Sequence, residues 1–334
     1  MEAGPNRSAI ARQATCDLCG EHEVEVIGLR DRRGKPLATA VCTSCGLISH
    51  LRIPSDEELA KYYAEEYRRD YHGEIAPSPR RVMRAWKTGG SLLSRLRPYL
   101  NARDRVFEVG AGIGCTIKAF ELAGFEAEGI EPNAGFNKFS RRILQANVSN
   151  AFLEEAPFAP LYDVVLLVHV IEHLRSPAAA LRHIRQILKP DGRLYVECPN
   201  VGAPHAAPGK LYHYAHIHNF TNETLATLAQ ACGFQIRQQL SGEDDRNLMF
   251  VLDVAPSEKL KVRTGACRRV LERVHRYNTL TYHLRLEYLR HRLDTLASHA
   301  HDRLAASWRV RQLAAHFARF TAQRTTIGRE RKAA

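Results

Sequence analysis

The sequence contains no uninterrupted apolar run that approaches the about 18–20 residues needed to cross a bilayer, so it predicts no membrane-spanning helix. The first 15 residues are polar and lack the apolar core of a secretion signal, which makes the cytoplasm the expected location. Internal repeats and low-complexity tracts are also missing, and this excludes solenoid and fibrous architectures. A length of 334 residues then leaves one large globular domain with additions, or two domains.

Positive charge is concentrated at one end of the sequence. The formal net charge is +12, and residues 256–334 hold 18 Lys and Arg against 6 Asp and Glu, whereas residues 1–255 hold 30 of each. A neutral main part argues against a nucleic-acid groove across it. Residues 257–320 show helical apolar spacing, which leaves two interpretations open. The basic helices either pack on each other or in a homodimer, or they dock on an anionic membrane such as the inner face of the cell membrane.

Four of the eight cysteines form two Cys-x-x-Cys-Gly pairs that are separated by 22 residues. Paired spacing of this kind is typical of a structural zinc site, in which four thiolates surround one tetrahedral ion and leave no open position. The sequence therefore predicts Zn²⁺ bound by Cys16, Cys19, Cys42 and Cys45.

Residues 105–255 alternate between short apolar strands and helical stretches, which predicts an α/β fold with a doubly wound sheet. The predicted strands are Arg105–Val109, Ala127–Ile130, a weak one near Val148, Asp163–Val168, Arg193–Glu197, Phe234–Leu240 and Leu248–Val254. The predicted helices are Cys115–Ala123, Gly135–Gln145, Pro177–Leu188 and Asn222–Cys232. Only about seven polar residues separate the last two strands, so an antiparallel hairpin is expected at one edge of the sheet.

The first predicted strand ends in a glycine-rich turn, Gly110-Ala111-Gly112-Ile113-Gly114, that opens a helix. Such a turn lets the backbone approach a ligand, but its G-x-G-x-G spacing differs from the dinucleotide fingerprint. Glu108, before the turn, suits a cationic amino group and would repel a pyrophosphate. Glu131 ends the second strand about 20 residues further on, where a carboxylate suits two ribose hydroxyls.

The stretches EVGAGIG, IEPN, YDVVLLVHVIEHL, ILKPDGRLYVECPN and HIHNFTNETLATLAQACGF occur in this order. Together they resemble the class I S-adenosylmethionine-dependent methyltransferases, and residues 16–255 are similar to sugar C-methyltransferases that carry a zinc segment. The resemblance implies a seven-stranded Rossmann-like sheet of order 3-2-1-4-5-7-6 with S-adenosyl-L-methionine at its strand ends. It implies four parts: a zinc-binding segment (1–53), a helical linker and acceptor-side lid (54–100), the methyltransferase domain (101–255) and a basic, all-helical extension (256–334).

The same resemblance assigns residues to the cofactor and to the acceptor. The cofactor residues would be Glu108, Gly110, Ala111, Gly112, Gly114, Glu131, Pro132, Asn133, Phe152, Leu153, Glu154 and His169. Relatives usually have an acidic residue just after the third strand, where this sequence has Ser149-Asn150-Ala151, so Glu154 or Asn150 is left to meet the adenine. Tyr62, Tyr63, Tyr67 and Tyr214 are the expected acceptor-binding residues, with packing of a helix face as the alternative.

Histidines are dense in two loops, after the fourth strand (His169 and Glu172-His173) and after the fifth (205–218). His216 is the first candidate for the catalytic base, and His218 and His169 are the alternatives. The glutamate and tyrosine that accompany this histidine in sugar C-methyltransferases fall on Ala215 and His213. An oxygen acceptor is therefore favoured over carbon.

The expected function is methyl transfer to an oxygen of a small molecule or saccharide, such as a nucleotide sugar or a cell-surface glycan. RNA or protein methylation is an alternative in which the zinc segment and basic tail bind the substrate. Base-methylating enzymes commonly have Asn/Asp-Pro-Pro-aromatic where this sequence has His169-Val170-Ile171-Glu172, so no specific nucleic acid is expected. A third possibility is a non-catalytic binding protein, which the intact glycine turn and both carboxylates oppose.

Overall fold

A computed structural model describes residues 10–12, 15–62, 77–156, 159, 161–204, 206–286, 288 and 308–319. The chain divides into two compact units. The first unit comprises residues 1–59 and 167–289, and the second unit comprises residues 60–166 and 290–334. Within the described ranges, no helix is long and apolar enough to cross a membrane.

The strands are β1 Ile10–Arg12, β2 Glu23–Arg30, β3 Pro36–Cys42, β4 Ile48–His50, β5 Arg105–Val109, β6 Glu126–Ile130, β7 Val148–Ser149, β8 Tyr162–Val168, β9 Leu188–Pro199, β10 His218–Asn219, β11 Phe234–Gln239 and β12 Asn247–Val254. The helices are α1 Asp56–Lys61, α2 Pro79–Leu96, α3 Cys115–Leu122, α4 Ala134–Phe139, α5 Pro177–Ile187, α6 Asn222–Ala231, α7 Ala266–Val274 and α8 Thr279–His283, and residues 308–319 are also helical.

Seven strands form one sheet in the order β7-β6-β5-β8-β9-β12-β11. Numbered along the chain within this sheet, the order is 3-2-1-4-5-7-6, so the predicted topology is confirmed. β5, β6 and β7 pair in parallel, whereas β12 is antiparallel to both β9 and β11, which confirms the predicted hairpin. The apolar run of β8 is buried from Val164 to Leu167, as expected for a strand covered on both faces.

Three predicted elements differ in extent from those of the structure. β9 begins at Leu188, five residues before the predicted strand, although its pairing with β12 begins only at Arg193. The predicted helix Gly135–Gln145 is α4 followed by a π-helical turn, Ser140–Leu144. Residues 255–263 are not helical, because the chain leaving β12 is held by Arg185, which donates hydrogen bonds to the Ala255 carbonyl.

The cysteine-bearing segment belongs to the first unit. Its strands form a five-stranded sheet, β1-β2-β3-β4-β10, whose last strand comes from the loop after β9. Val41 and Ile48 pack in one core with Val201, Tyr212 and Val270. The segment therefore shares its hydrophobic core with α7 and with the loop after β9.

The second unit has a core of its own, which includes Val82, Ile113, Phe136 and Phe317. Phe317 is fully buried and lies in the helical residues 308–319. Part of the basic extension is therefore integral to this unit.

Candidate active site

The glycine turn of the second unit connects β5 to α3. Gly110, Gly112 and Gly114 all have positive φ angles, of 72°, 55° and 77°. A Cβ at Gly114 would lie 2.8 Å from the Ala146 Cβ, so no other residue fits there. A Cβ at Gly112 would meet no atom within 4 Å, which shows that the turn borders open space. The Ala111 N–H donates to the Ile130 carbonyl at 2.8 Å and thereby ties the turn to β6.

Glu131 holds this turn in place. Its Oε2 accepts a hydrogen bond from the Gly112 N–H at 2.9 Å, and its Oε1 accepts one from the Asn133 N–H at 2.8 Å. Asn133 in turn caps α4 by accepting from the Phe136 N–H at 3.1 Å. Because each carboxylate oxygen can accept a second hydrogen bond, Glu131 can order the loop and still bind two hydroxyl groups.

Glu108 is a buried carboxylate with unused bonding capacity. Its side chain is 4% exposed, and within the described residues its Oε2 has no hydrogen-bond partner. Burial, with a smaller contribution from the charge of Glu131, raises the pKa of Glu108 to about 8, although Thr116 opposes this with a hydrogen bond. A buried carboxylate with one oxygen left without a partner is stabilised by a bound cation, and an ammonium group fits it.

The residues after β7 present one exposed aromatic ring. The Phe152 residue is 47% exposed, whereas Leu153 is buried and Glu154 is exposed. The Asn150 side-chain amide donates to the carbonyls of Glu131 and Pro132, both at 2.9 Å, so both of its N–H groups are used in hydrogen bonds to the backbone. Of these residues, the Phe152 ring is therefore the best placed to stack on a flat heterocycle.

In the first unit, Glu172 lies among three imidazole rings. It follows β8 in the 3₁₀ turn Ile171–His173 and is 2% exposed. Its Oε1 is 3.4 Å from His169 Nδ1, 3.8 Å from His173 Nε2 and 3.9 Å from His216 Nε2. The last two distances are too long for hydrogen bonds.

The first candidate base, His216, lies inside this cluster. It is 9% exposed, and its ring centroid is 3.8 Å from that of His213 and 5.0 Å from that of His173. Burial, reinforced by the neighbouring imidazoles, lowers the pKa of His216 well below its ordinary value. His216 is therefore uncharged at neutral pH, with little surface for a substrate to touch.

His218 serves the framework of the first unit. Its Nδ1 is 2.9 Å from the Ser49 Oγ and its Nε2 is 3.2 Å from the Arg175 carbonyl. A carbonyl only accepts, so Nε2 donates and Nδ1 accepts the Ser49 hydroxyl hydrogen. Both ring nitrogens are thus used to hold β10 next to β4.

His169 is the exposed member of the cluster, with 44% of its side chain accessible. Its backbone has φ of 53°, an unusual conformation for a residue other than glycine and one found often at functional sites. Its Nε2 is 3.8 Å from Glu197 Oε1. Burial lowers the pKa of His169, but the hydrogen bond to Glu172 and the charges of Glu172 and Glu197 outweigh this, so the pKa is raised overall.

Glu197 is a site residue that the sequence analysis missed. It lies in β9, where its Oε2 accepts from the Tyr195 hydroxyl at 2.6 Å and its Oε1 from the Asn247 amide at 2.7 Å. The available signal was an acidic residue within the apolar run Leu194–Cys198. Buried strands rarely hold a carboxylate unless it is paired.

The predicted acceptor tyrosines are placed only in part. Tyr62, in the second unit, is 7% exposed. Tyr214, in the first unit, is partly buried, with its ring centroid 6.0 Å from that of His50. Tyr63 and Tyr67 lie outside the described residues. The role of all four tyrosines in acceptor binding stays a prediction.

The four paired cysteines converge in the first unit. Sulfur–sulfur distances are 3.5 Å for both Cys16–Cys45 and Cys19–Cys42, and all four sulfurs lie within 4.8 Å of one another. Hydrogen bonding from Cys16 holds the pKa of the Cys19 and Cys42 thiols below the ordinary value. Thiolates around one tetrahedral zinc ion are expected about 3.8 Å apart, so the cluster fits such an ion.

Comparison with known proteins supports the fold assignment. Residues 78–239 match the family described as "Methyltransferase domain". The chain is 26% identical to the ubiquinone biosynthesis O-methyltransferase of Salmonella paratyphi A over 150 residues, 39% of this chain and 61% of that protein. It is 33% identical to the tRNA U34 carboxymethyltransferase of Ruthia magnifica over 113 residues, 31% of this chain and 36% of that protein.

The chain thus spans about three-fifths of the first relative's length and about a third of the second's. Among solved structures, the magnesium protoporphyrin IX methyltransferase of Synechocystis with bound SAH is 16% identical, with a TM-score of 0.45, over 60% of this chain and all of that one. The similarity to sugar C-methyltransferases and the zinc segment are not confirmed by these comparisons. Residues 78–239 thus match a methyltransferase domain, and the sheet that they contribute to has the strand order 3-2-1-4-5-7-6.

Proposed function

We propose that this protein transfers the methyl group of S-adenosylmethionine to an oxygen of a small-molecule or saccharide acceptor. The observation that carries the proposal is the buried carboxylate of Glu108, whose Oε2 has no hydrogen-bond partner among the described residues, beside an open glycine turn. A site for a dinucleotide would not place an acidic group there, because it would repel the pyrophosphate.

The residues of the second unit match the parts of S-adenosylmethionine. Glu108 would hold the amino group, the turn at Gly110–Gly114 the methionine chain and Glu131 the ribose, with Phe152 against the adenine. Once bound, the cofactor supplies an activated methyl group on a sulfonium. The protein then has to orient the acceptor and remove its proton.

For proton removal we propose His169, in place of the first candidate His216. His169 exposes its ring and has only long contacts, at 3.4 Å, from Nδ1 to Glu172 and from Nε2 to Asn247. His216 is buried, and both nitrogens of His218 make shorter hydrogen bonds. The carboxylates of Glu172 and Glu197 flank His169 and would stabilise the imidazolium that forms. S-adenosylmethionine would supply the methyl group and leave as the thioether, and His169 would take up the proton of the acceptor hydroxyl.

Oxygen as the acceptor atom is supported by the relatives, several of which are ubiquinone biosynthesis O-methyltransferases. RNA is the second candidate, because one relative is named for tRNA U34. A methyl-transfer assay with labelled cofactor should therefore compare nucleotide sugars, bacterial saccharides, small phenols and tRNA. Labelling of tRNA alone would overturn the proposed acceptor class.

Two variants test the assigned roles. Glu131→Ala should weaken binding of the cofactor by about 1.5–3 kcal/mol for each hydrogen bond lost, as measured by calorimetry.

His169→Asn should lower turnover about 10²–10⁴-fold and leave cofactor affinity unchanged. His275→Asn, at the end of α7, is the matched control. Wild-type turnover in His169→Asn would exclude His169 as the base.

We further propose that the four-cysteine cluster binds one structural zinc ion. Four sulfurs complete a tetrahedral coordination sphere, so the ion would have no position for substrate. Its role would be to hold β2, β3 and β4 together in a segment too small for a core of its own.

A further inference from the structure

We propose that Glu172, His173 and His216 form a second metal site, which binds a divalent transition-metal ion and is separate from the cysteine cluster. The inference rests on the proposed function only for the role of the ion, which would be to activate the acceptor oxygen. All three residues belong to the first unit, and one ligand atom from each lies within 4.8 Å of the others.

The buried carboxylate of Glu172 has little compensation for its charge. It is 2% exposed, and apart from the long contact with His169 Nδ1 at 3.4 Å, neither of its oxygens has a hydrogen-bond partner among the described residues. A buried carboxylate without compensation costs several kcal/mol, so such groups are paired or bind a metal. The proposed ligand nitrogens, His173 Nε2 and His216 Nε2, lie 3.8 and 3.9 Å from its Oε1, slightly further than ligand atoms that share an ion.

The tautomer of His173 strengthens the argument. Its Nδ1 is 2.7 Å from the Ala215 carbonyl, which can only accept, so Nδ1 carries the hydrogen. In the neutral ring, the lone pair of Nε2 then faces Glu172 Oε1 at 3.8 Å. A metal ion between these two acceptors would relieve their repulsion. Metal-binding histidines commonly donate their other N–H to a backbone carbonyl in this way.

The ligand set selects the kind of ion. Two imidazoles and one carboxylate suit zinc, iron(II) and similar transition metals, whereas Mg²⁺ and Ca²⁺ prefer oxygen ligands. Ligand atoms around an ion at about 2.1 Å lie about 3.0–3.4 Å apart, so the cluster must contract by about half an ångström. With three protein ligands, the ion keeps open positions for water or an acceptor hydroxyl.

An acceptor hydroxyl bound at such an ion becomes more acidic, since the positive charge stabilises its oxyanion. Its proton would pass to His169. His216 would then act as a metal ligand, which agrees with its burial.

The test is metal binding by the full chain. Mild chelation should leave one zinc equivalent, held by the four thiolates, and Co²⁺ should then add a second equivalent. The absorption of that Co²⁺ should lack thiolate charge-transfer bands. Glu172→Gln and His216→Asn should each weaken Co²⁺ binding at least about 100-fold, while binding of S-adenosylhomocysteine shows that the variants fold. His183→Asn, buried to 8% on α5, is the control and should bind as the wild type does.

Two results would overturn the second site: a wild-type chain that binds no Co²⁺ beyond the cysteine site, or unchanged binding in both variants. The measurement is independent of activity. A chain that binds the second ion but methylates nothing would overturn the proposed function alone, and an active chain without a second ion would overturn this inference alone.

Discussion

The carboxylate of Asp17 accepts hydrogen bonds from the Ser176 hydroxyl at 2.5 Å and from the Ala178 N–H at 2.8 Å. Asp17 lies between the first two cysteines, and Ser176 is the N-cap of α5. The first cysteine turn thus places the carboxylate of Asp17 at the N-terminus of α5, where the helix dipole stabilises a negative charge. This contact connects the cysteine segment to α5.

Asp17→Ala should therefore lower the free energy of unfolding by about 1–2 kcal/mol, as measured by urea denaturation. Asp56→Ala is the matched control, because Asp56 is exposed and its ion pair with Arg175 is a surface contact at 3.4 Å. The control variant should leave the midpoint of the urea unfolding transition unchanged. Equal midpoints for the two variants would show that the contact with α5 contributes nothing.

Zinc removal should destabilise the first unit. Cys16→Ser and Cys45→Ser should each lose the bound zinc and lower the melting temperature by several degrees, while cofactor affinity is retained. Cys267→Ser, in α7 and outside the cluster, should keep its zinc. Metal analysis that finds no zinc in chelator-free wild-type protein would disprove the proposal.

The pKa of Glu108 predicts a pH dependence of stability. In the folded protein this pKa is about 8, above the ordinary value of 4.5, so the protonated form contributes stability that is fully present below about pH 4.5. That stability is lost as pH rises towards 8. Between pH 5 and 8, the free energy of unfolding of the unliganded wild type should therefore fall, relative to that of Glu108→Gln, by up to about 1.4 kcal/mol per pH unit.

Urea denaturation across this range, without cofactor, measures the difference. Glu154→Gln removes an exposed carboxylate of the same unit and should parallel the wild type. Parallel curves for the wild type and Glu108→Gln would mean that Glu108 is already ionised in the folded protein.

The basic extension is predicted to bind anionic membranes by charge alone. The full chain should float with anionic but not zwitterionic vesicles at low salt, and less so as salt rises. A truncated chain is a poor test, because Val270 and Phe317 are buried in the cores of the two units. Replacing the exposed Lys261, Arg263 and Arg268 by glutamine should instead reduce flotation.

The matched control replaces three exposed basic residues elsewhere, Arg103, Lys138 and Arg141, and should float as the wild type does. Recovery of the wild type in the soluble fraction would leave packing or a homodimer as the role of these helices. Residues 289–307 and 320–334 lie outside the described residues.

Much of the architecture was readable from local patterns. The apolar strands and the glycine turn predicted the sheet, because a buried parallel strand must be apolar and a tight strand-to-helix turn needs positive φ. The two Cys-x-x-Cys-Gly pairs likewise predicted a cluster, and their sulfurs meet. In each case the signal lies within a few neighbouring residues.

Burial and partners of single side chains were not readable in this way. Sequence alone left both His216, the first candidate, and His218 as possible bases, but β10 pairing with β4 joins His218 to Ser49 and Arg175. Glu172 and His216 are 44 positions apart, and only the folded first unit brings them within 3.9 Å. The types of residue determined which chemistry is available to this protein, whereas contacts between distant segments decided which side chains carry it, because burial and pairing depend on neighbours that the local sequence does not contain.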